Sequence, residues 1–233
     1  MVKELTTLER KLGVKFKNKN NLTQALVHRS YLNEHPEFHL DHNERLEFLG
    51  DAVLEIIVTE NLFTNFPDPE GDLTNWRASL VNAINLASIA DEIGIEPYLF
   101  LSKGEAKDSN PKSRQYILAN AMEAVIGAIY LDQGIEVAKK FVEDKIISKL
   151  DNILKNKLYI DAKSYFQEMA QDKVGVTPVY KVISATGPDH AKTFEIGVYL
   201  DKELIATGKG TSKQEAQTNA AQNGLAKKSW NIK

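Results

Sequence analysis

Hydrophobic positions recur with helical spacing along the first two thirds of the chain. Apolar residues stand three and four positions apart in LTTLERKLG, NLTQALVHRSYL, HNERLEFLGDAVLEII, LTNWRASLVNAINLASIADEIG, RQYILANAMEAVIGAIYLD and IEVAKKFVEDKIISKL. Proline and glycine cluster between these segments, in NFPDPEGD, IEPYLFLSKGEAKDSNPKS and DQG, which indicates loops. We therefore predict an all-helical domain over residues 1–154.

The period of the pattern changes near residue 160. A helical segment, DAKSYFQEMAQ with Asp161 as its cap, precedes three strand-like segments, PVYKVISATG, KTFEIGVYL and ELIATG, and a final helix, SKQEAQTNAAQNGLAKK. The middle strand alternates between an apolar face of Phe194, Ile196, Val198 and Leu200 and a second face of Thr193, Glu195 and Tyr199. We predict an α-β-β-β-α two-layer module over residues 161–229, joined by a linker at residues 155–160. The fold class is thus all-α followed by α+β.

Composition narrows the classes of site that are open to the chain. Its 233 residues are 42% hydrophobic and include no cysteine, so disulfides, thiolate metal sites and cysteine nucleophiles are excluded. Any metal must therefore be bound by oxygen or histidine. The charged start of the chain does not resemble a signal peptide, and no apolar run is long enough to span a bilayer. We expect a soluble, cytoplasmic protein without a membrane partner.

Charge is unevenly distributed between the two predicted domains. Residues 161–233 hold 10 lysines and 8 acidic residues, a net charge of +2, while the rest of the chain carries −5. The change of sign supports a domain boundary near residue 160. By itself this small difference is equally compatible with two ordinary solvated surfaces.

Acidic residues form a row on the predicted helix at HNERLEFLGDAVLEII. At about 100° per residue, Glu44, Glu47 and Asp51 fall within roughly 60° of one another. The opposite side is the predicted core stripe, which contains Leu46, Leu49, Val53, Ile56 and Ile57. Like charges one turn apart repel each other, so the row requires either solvent or a cation.

A second helix, ILANAMEAVIGAIYLD, also offers oxygen ligands beside a core face. Its apolar stripe consists of Leu118, Met122, Val125, Ile126 and Ile129, and Asn120 and Glu123 lie off that stripe. If the two helices pack together, Glu47, Asp51, Asn120 and Glu123 can converge on a divalent cation such as Mg²⁺ or Mn²⁺. The alternative, from spacing alone equally good, is that these are ordinary exposed acids.

Two other kinds of metal site are disfavoured. A di-iron helical bundle is disfavoured because its Glu-x-x-His pairs are missing. His35, His39 and His42 suggest a zinc site, but Pro36 interrupts the run, a loop is predicted there, and no further ligand set is apparent.

The motifs that carry these acids resemble a known family. HNERLEFLGDAVL is similar to the signature of the ribonuclease III family, and ALVHRSYLNE, FPDPEGDLTNWRASLVN and ILANAMEAVIGAIYLDQG extend the resemblance in the same order. The α-β-β-β-α tail resembles a double-stranded-RNA-binding domain, with GKGTSKQEA before its last helix. This two-domain order is that of bacterial ribonuclease III.

The resemblance implies a homodimer that cuts both strands of duplex RNA and leaves 5′-phosphate and 3′-hydroxyl ends. It implies Mg²⁺-assisted phosphodiester hydrolysis, with Mn²⁺ as a substitute, in the processing of ribosomal and messenger RNA. Glu47, Asp51 and Glu123 match metal ligands of the catalytic site. Glu44 and Glu70 match acids that lie near the RNA or assist cleavage.

Asn120 departs from the family pattern, since most bacterial members have aspartate there. An amide oxygen can ligate a hard cation but adds no charge, so we expect weaker Mg²⁺ binding in a protein that remains an active enzyme. The alternative is a duplex-RNA-binding protein in which Asn120 has impaired cleavage. A more distant alternative is a helical metal phosphohydrolase of small substrates, for which a duplex-binding tail would have no purpose.

Two apolar residues beside the acid row are candidates for a dimer interface. Phe48 and Leu54 flank the row rather than the predicted core stripe, although packing within the same chain explains them equally well. The resemblance favours a symmetric dimer in which a second copy buries Phe48.

Three parts of the tail suit contact with successive grooves of duplex RNA. The first helix carries a polar face made of Ser164, Gln167, Glu168 and Gln171, and His190 lies in a loop. Lys213 stands at the start of the last helix, where free backbone amides favour a phosphate. The usual second lysine at this turn is replaced by Gln214, which predicts weaker binding and a shallower salt dependence.

Overall fold

The computed structural model describes residues 5–188 and 192–230. The chain divides into two units, residues 1–156 and residues 157–233. Among the described residues, no helix is both long and apolar enough to cross a membrane.

The first unit is helical. Its α-helices are α1 Thr6–Leu12, α2 Lys19–Ala25, α3 Arg29–Glu34, α4 Glu44–Asn65, α5 Glu70–Val81, α6 Ala83–Ile93, α7 Lys103–Lys107, α8 Pro111–Gln133, α9 Ile135–Lys145 and α10 Leu150–Lys155. Short 3₁₀ helices occupy Glu96–Tyr98 and Ile147–Lys149. The expectation of an all-helical first domain is confirmed.

The segment NLTQALVHRSYL is two helices rather than the single helix that its spacing predicts. After α2 ends, Val27 forms an isolated parallel bridge with Phe100, and the backbone N–H of His28 donates to the Phe100 carbonyl. The ring of His28 then caps α3 by accepting the backbone N–H of Ser30. A contact distant in sequence therefore interrupts a pattern that is locally helical.

Two further long segments are divided in a similar way. Asn82 separates α5 from α6: its backbone is extended, with ψ 157°, and its side chain accepts the backbone N–H of Asn85. An asparagine that bonds the backbone ahead of it starts a new helix instead of continuing the old one. The helix predicted over residues 135–150 likewise ends at Lys145.

The predicted loop over residues 95–113 contains the short α7.

Helices α4 and α8 supply much of the core of the first unit. The predicted stripe of α8 is fully buried, and on α4 the side chains of Leu46, Val53 and Ile57 are buried. The prediction was wrong for Ile56, which is 60% exposed, and for Leu54, which is fully buried inside the chain and so is unavailable to an interface. A 22-residue helix touches different neighbours along its length, so its buried face is not one straight stripe.

The second unit is a three-stranded antiparallel sheet with two helices. Its elements are α11 Ala162–Val174, β1 Val179–Thr186, β2 Thr193–Leu200, β3 Glu203–Gly210 and α12 Lys213–Lys228. The strand order is β1-β2-β3, and Val198 on β2 pairs with Tyr180 and Ala206. Both helices contribute to one core, where Phe166 and Ala220 pack with Val198 and Ile205. The predicted α-β-β-β-α order and the Asp161 cap are confirmed.

Candidate metal centre and nucleic-acid surfaces

The backbones of α4 and α8 approach each other very closely at two glycines. A Cβ atom at Gly50 would overlap the carbonyl oxygen of Glu123, and one at Gly127 would overlap the carbonyl oxygen of Leu46. Only residues without a side chain permit this approach. It places the turn of α4 that carries Glu47 and Asp51 directly against the turn of α8 that carries Glu123.

The acids on the two helices interact electrostatically. Burial, together with the charges of Asp51 and Glu47, raises the pKa of Glu123 to about 7. Burial also raises the pKa of Glu47, and the neighbouring Glu44 and Asp51 add to that rise. Asn120 opposes the rise by hydrogen bonding to the Glu47 carboxylate. The structure therefore brings Glu47, Asp51, Asn120 and Glu123 together at the α4–α8 contact.

The donor set at this contact suits a hard divalent cation. Three carboxylates and one amide all offer oxygen atoms, and burial together with the charges of Asp51 and Glu47 raises the pKa of Glu123 to about 7. In the part of the chain that is described, no three carboxylate or imidazole side chains already surround a common point. The fourth group at the α4–α8 contact, Asn120, is an amide and so is neither of these two kinds of side chain.

Glu44 lies at the exposed end of the acid row. Its carboxylate is 3.4 Å from the guanidinium of Arg29 on α3 and 3.8 Å from the ring of His42. Exposed pairs of this kind contribute little stability, about 0–1 kcal/mol. The contact instead orients the carboxylate beside the metal candidates.

Glu70 is not part of this cluster within one chain. It begins α5, accepts a 2.9 Å hydrogen bond from the Thr74 hydroxyl, and lines a cavity with Thr59 and Phe63 near the far end of α4. At 1.5 Å per residue, the twelve positions from Glu47 to Thr59 correspond to about 18 Å along the helix.

The three clustered histidines do not assemble a zinc site. His35 stacks on Tyr31 with ring centroids 4.0 Å apart, His39 lies beside Phe38, and His42 faces Asp41 and Glu44. Within residues 5–188 and 192–230, no set of three potential ligands that includes them comes together.

A polar cavity of about 270 Å³ adjoins the acid row and was not foreseen from the sequence. Besides Glu44, Glu47 and Asn120 it is lined by His28, Glu105, Ser113 and Tyr116. These residues come from the start of α3, from α7 and from the first turns of α8, so no local spacing connects them. The only local signal was the segment ALVHRSYLNE, which supplies His28 and Ser30.

An exposed apolar surface runs along α4. Phe48 is 81% exposed and Phe63 80%, and Ile56 is also exposed. A cavity of about 570 Å³ opens beside Phe63 between α4 and α5, with Leu62, Phe66 and Leu73 in its wall. Large aromatic side chains at this exposure indicate a surface that another molecule covers.

In the second unit, the predicted RNA-contacting residues lie on two helix surfaces. Ser164, Gln167, Glu168 and Gln171 are all exposed on α11. Lys213, in the first turn of α12, is exposed and lies 5.9 Å above the ring of Phe194, while Ser212 caps the helix. His190 lies outside the described residues.

Comparison with known proteins gives the same division of the chain. Residues 18–150 match the family model described as Ribonuclease-III-like, and residues 162–228 match the double-stranded RNA binding motif. Ribonuclease 3 of Enterococcus faecalis is 44% identical over 97% of this chain and 98% of that protein. Ribonuclease 3 of Nitratiruptor is 42% identical over 96% of both chains.

Solved structures resemble the first unit. The nuclease domain of ribonuclease III from Campylobacter jejuni is 41% identical, covers 64% of this chain and 97% of that domain, and superimposes with a TM-score of 0.56. A second structure of that domain, 41% identical with a TM-score of 0.55, covers 61% of this chain and 96% of the other. It was described for structural flexibility in a region involved in dimer formation of the Campylobacter protein.

Proposed function

Because the chain belongs to the ribonuclease III family, we propose that it is an endoribonuclease that cleaves double-stranded RNA with the help of a divalent metal ion. The observation that carries the proposal is the contact of α4 and α8, where Gly50 and Gly127 let acids from both helices meet. A duplex-binding module follows this site in the same chain.

We assign the metal to Glu47, Asp51, Asn120 and Glu123, with Mg²⁺ as the ion and Mn²⁺ as a substitute. All four side chains provide oxygen, and a divalent ion would remove the repulsion that raises the pKa of Glu123. When bound, such an ion supplies an activated water and charge stabilisation for hydrolysis of a phosphodiester. The family resemblance implies products with 5′-phosphate and 3′-hydroxyl ends, which form when water attacks the phosphorus and the 3′-oxygen leaves.

The chain's own residues have separate tasks in this reaction. Glu47, Asp51 and Glu123 present carboxyl groups from two helices whose backbones are in contact, so the backbone positions of these ligands are set before substrate arrives. Asn120 completes the set without adding charge and hydrogen bonds to Glu47. Glu44, paired with Arg29, lies toward solvent, where a ribose of the RNA strand would approach.

The second unit holds the duplex. The exposed polar face of α11, made of Ser164, Gln167, Glu168 and Gln171, suits ribose hydroxyls in a minor groove. Lys213 and the backbone amides at the start of α12 suit a phosphate of the adjoining groove. His190 is assigned to RNA contact from its position in the sequence alone.

We assign the apolar surface of α4 to a homodimer contact. Phe48 lies on the same helix as Glu47 and Asp51, and its ring is almost fully exposed in the single chain. Covering it with a second copy would place two acid clusters in one assembly, one for each strand of a duplex. Such a dimer also provides a place for Glu70, which is remote from the acid cluster of its own chain.

Cleavage of a long RNA duplex in Mg²⁺ tests the proposal. The parent should cut it, and Glu123→Gln should reduce the rate at least a hundredfold while binding in Ca²⁺ persists, because the change removes a ligand charge but no RNA contact. Absence of cleavage by the parent in both Mg²⁺ and Mn²⁺ would refute the enzyme.

Asn120→Asp separates the enzyme from a protein that only binds duplexes. In an active parent the added carboxylate should lower the Mg²⁺ concentration needed for half-maximal cleavage, since a fourth charge strengthens binding of a hard cation. If the parent binds but does not cut, and Asn120→Asp restores cutting, the chain is a duplex-binding protein with an impaired metal site.

A further inference from the structure

The polar cavity beside the acid row contains a histidine whose protonation is set by its neighbours. The Nδ1 atom of His28 accepts the backbone N–H of Ser30 at 3.3 Å and lies 2.8 Å from the Ser30 hydroxyl. An Nδ1 atom that accepts a backbone N–H carries no hydrogen, so in the neutral ring the hydrogen is on Nε2.

The neutral form is the one present near pH 7. Burial lowers the pKa of His28 below its usual value, and this outweighs the opposing influence of Glu105 and Glu44. The Ser30 hydroxyl in turn accepts the backbone N–H of Ser102 at 3.1 Å, which leaves its own hydrogen for His28 Nδ1. With Nδ1 occupied, the donor that His28 offers to the cavity is its Nε2–H.

Loop residues opposite His28 are also held in place. Two oxygens of Glu34 accept the backbone N–H of Lys103, and Arg114 donates to the carbonyls of Glu105 and Ala106. Ser113 donates to the Glu105 carboxylate at 3.4 Å. The cavity wall is therefore built before any ligand binds.

The charges and hydrogen-bonding groups of the cavity determine whether it can bind a phosphate, a sugar hydroxyl or a base of an RNA strand. Glu44, Glu47 and Glu105 line it, so a phosphate would meet three carboxylates and be repelled. A hydroxyl can donate to a carboxylate while it accepts from His28 Nε2–H or from the Tyr116 hydroxyl. The volume of about 270 Å³ is below the roughly 300–1,000 Å³ of sites for drug-sized ligands and is sufficient for one ribose.

We propose that this cavity, lined by His28, Glu44, Glu105, Ser113 and Tyr116, binds the ribose of the nucleotide next to the scissile phosphate through its 2′-hydroxyl. The inference rests on the proposed function, because Glu47 and Asn120 line the same cavity and belong to the proposed metal site. The 2′-hydroxyls of A-form RNA are displayed in its wide minor groove, where they are accessible. His28 thus positions substrate and helps the nuclease domain itself to distinguish RNA from DNA.

The test uses RNA duplexes that each carry one 2′-deoxy nucleotide near the cleavage site, with kcat/KM measured for the full-length protein. One position should be cut about threefold to tenfold more slowly by the parent, which corresponds to one lost hydrogen bond. In His28→Asn the hydrogen bond to the 2′-hydroxyl is already lost. This variant should therefore cut the all-RNA duplex and the deoxy-substituted duplex at the same, slower rate, so that the penalty disappears. Asparagine keeps an oxygen for the Ser30 N–H, so α3 stays capped.

Two comparisons make the result specific to the cavity. His35→Asn is the matched control, since the His35 ring stacks on Tyr31 outside the cavity, and it should retain the full penalty. Tyr116→Phe removes only a hydroxyl from a half-exposed side chain, so it should fold normally and reduce the penalty. The sensitivity to deoxy positions contacted by the second unit should be the same in all variants.

The inference is overturned if the parent cuts duplex RNA but shows no position-specific penalty. It is also overturned if the penalty is equal in the parent, His28→Asn and Tyr116→Phe. A parent that does not cut all-RNA duplexes overturns the proposed function instead. The two failures are therefore distinguishable.

Discussion

At the scale of single residues, the acid cluster depends on burial more than on charge alone. Glu44, Glu47 and Asp51 are close in sequence, but it is burial, followed by the charges of Asp51 and Glu47, that raises the pKa of Glu123 on the other helix to about 7. Asn120 moderates the cluster, since its amide donates to Glu47 where an aspartate would add a further negative charge. We therefore expect that metal binding at the proposed site would release a proton near neutral pH.

This coupling predicts how the stability of the metal-free protein depends on pH. Burial and the charges of Asp51 and Glu47 raise the folded pKa of Glu123 to about 7, above its ordinary value of 4.5, so the folded state binds more protons between these values and loses stability as pH rises through them. The full difference corresponds to about 3.4 kcal/mol, and because solvent partly screens the half-buried Glu123 carboxyl, Glu123→Gln should remove about 2 kcal/mol of that loss. Urea denaturation at pH 4.5 and pH 8 with a chelator measures it.

Glu37→Gln is the matched control for this measurement, because the Glu37 side chain is exposed and remote from the cluster. It should behave like the parent at both pH values. Equal pH dependence in the parent and in Glu123→Gln would contradict the assignment of a raised pKa to Glu123.

At the scale of secondary-structure elements, the position of the site is determined by how closely α4 and α8 pack. The helices meet through Gly50 and Gly127, and each of these glycines faces a backbone carbonyl of the other helix. Ridges of larger side chains would separate the axes to the usual 8–10 Å or more and move Glu123 away from Glu47.

Gly50→Ala should therefore destabilise the protein by at least about 2 kcal/mol, because its methyl group would overlap the Glu123 carbonyl and the helices must move apart. Cleavage should fall with it, even in variant molecules that remain folded. Thermal unfolding and kcat/KM measure both effects.

Gly71→Ala provides the comparison within the same domain, since a methyl group at Gly71 in α5 meets no atom within 4 Å. Alanine is a better helix former than glycine, so the free energy of unfolding of Gly71→Ala should equal that of the parent or exceed it by up to about 1 kcal/mol. Similar losses in both variants would show that close packing at Gly50 is unimportant.

The start of α12 gives a second prediction for an element. Lys213→Gln should weaken duplex binding and reduce the slope of log K against log salt concentration by about 1, as expected for one lost phosphate contact. Gln214→Lys should increase the slope. Binding titrations at several salt concentrations measure both changes.

Lys228→Gln is the control for this series. Lys228 lies about 22 Å from Lys213, at the other end of the same helix, and pairs with Glu203. Its slope should equal that of the parent. If Lys213→Gln leaves the slope unchanged, Lys213 does not contact a phosphate.

At the scale of the whole molecule, the exposed surface of α4 indicates that the single chain is not the complete assembly. Leu54, the second sequence-based candidate for the interface, is buried within its own chain, which leaves Phe48 with Ile56 and Phe63 on the exposed side. We propose that a homodimer covers this surface.

Phe48→Ser should raise the dissociation constant of the dimer at least tenfold, because two phenylalanine side chains lose their burial, each contributing about 1.5–3 kcal/mol. Sedimentation across a range of concentrations measures the constant. Val174→Ser is the control: Val174 is 50% exposed on α11 and should leave the constant unchanged. A monomeric parent, or a Phe48→Ser dimer as tight as that of the parent, would contradict the dimer surface.

The sequence alone determined the properties that depend on local pattern. Helical spacing of apolar residues predicts the helical first domain, and alternation in the segment of β2 predicts the strands of the second. Both predictions are possible because the period of the apolar residues indicates which face each element must bury. The acid motifs, read together with their family resemblance, also predict Glu47, Asp51, Asn120 and Glu123 as metal ligands, and this stays a prediction.

Tertiary structure decided what depends on contacts between distant segments. The Val27–Phe100 bridge divides a segment that is locally helical, and the glycine contact of α4 with α8 sets the distance between the acids. Likewise, the cavity around His28 joins α3, α7 and α8, which are separate in the sequence. Burial and the pKa of Glu123 follow from that packing, because the cost of holding a charge depends on everything around it and not on the segment that carries it.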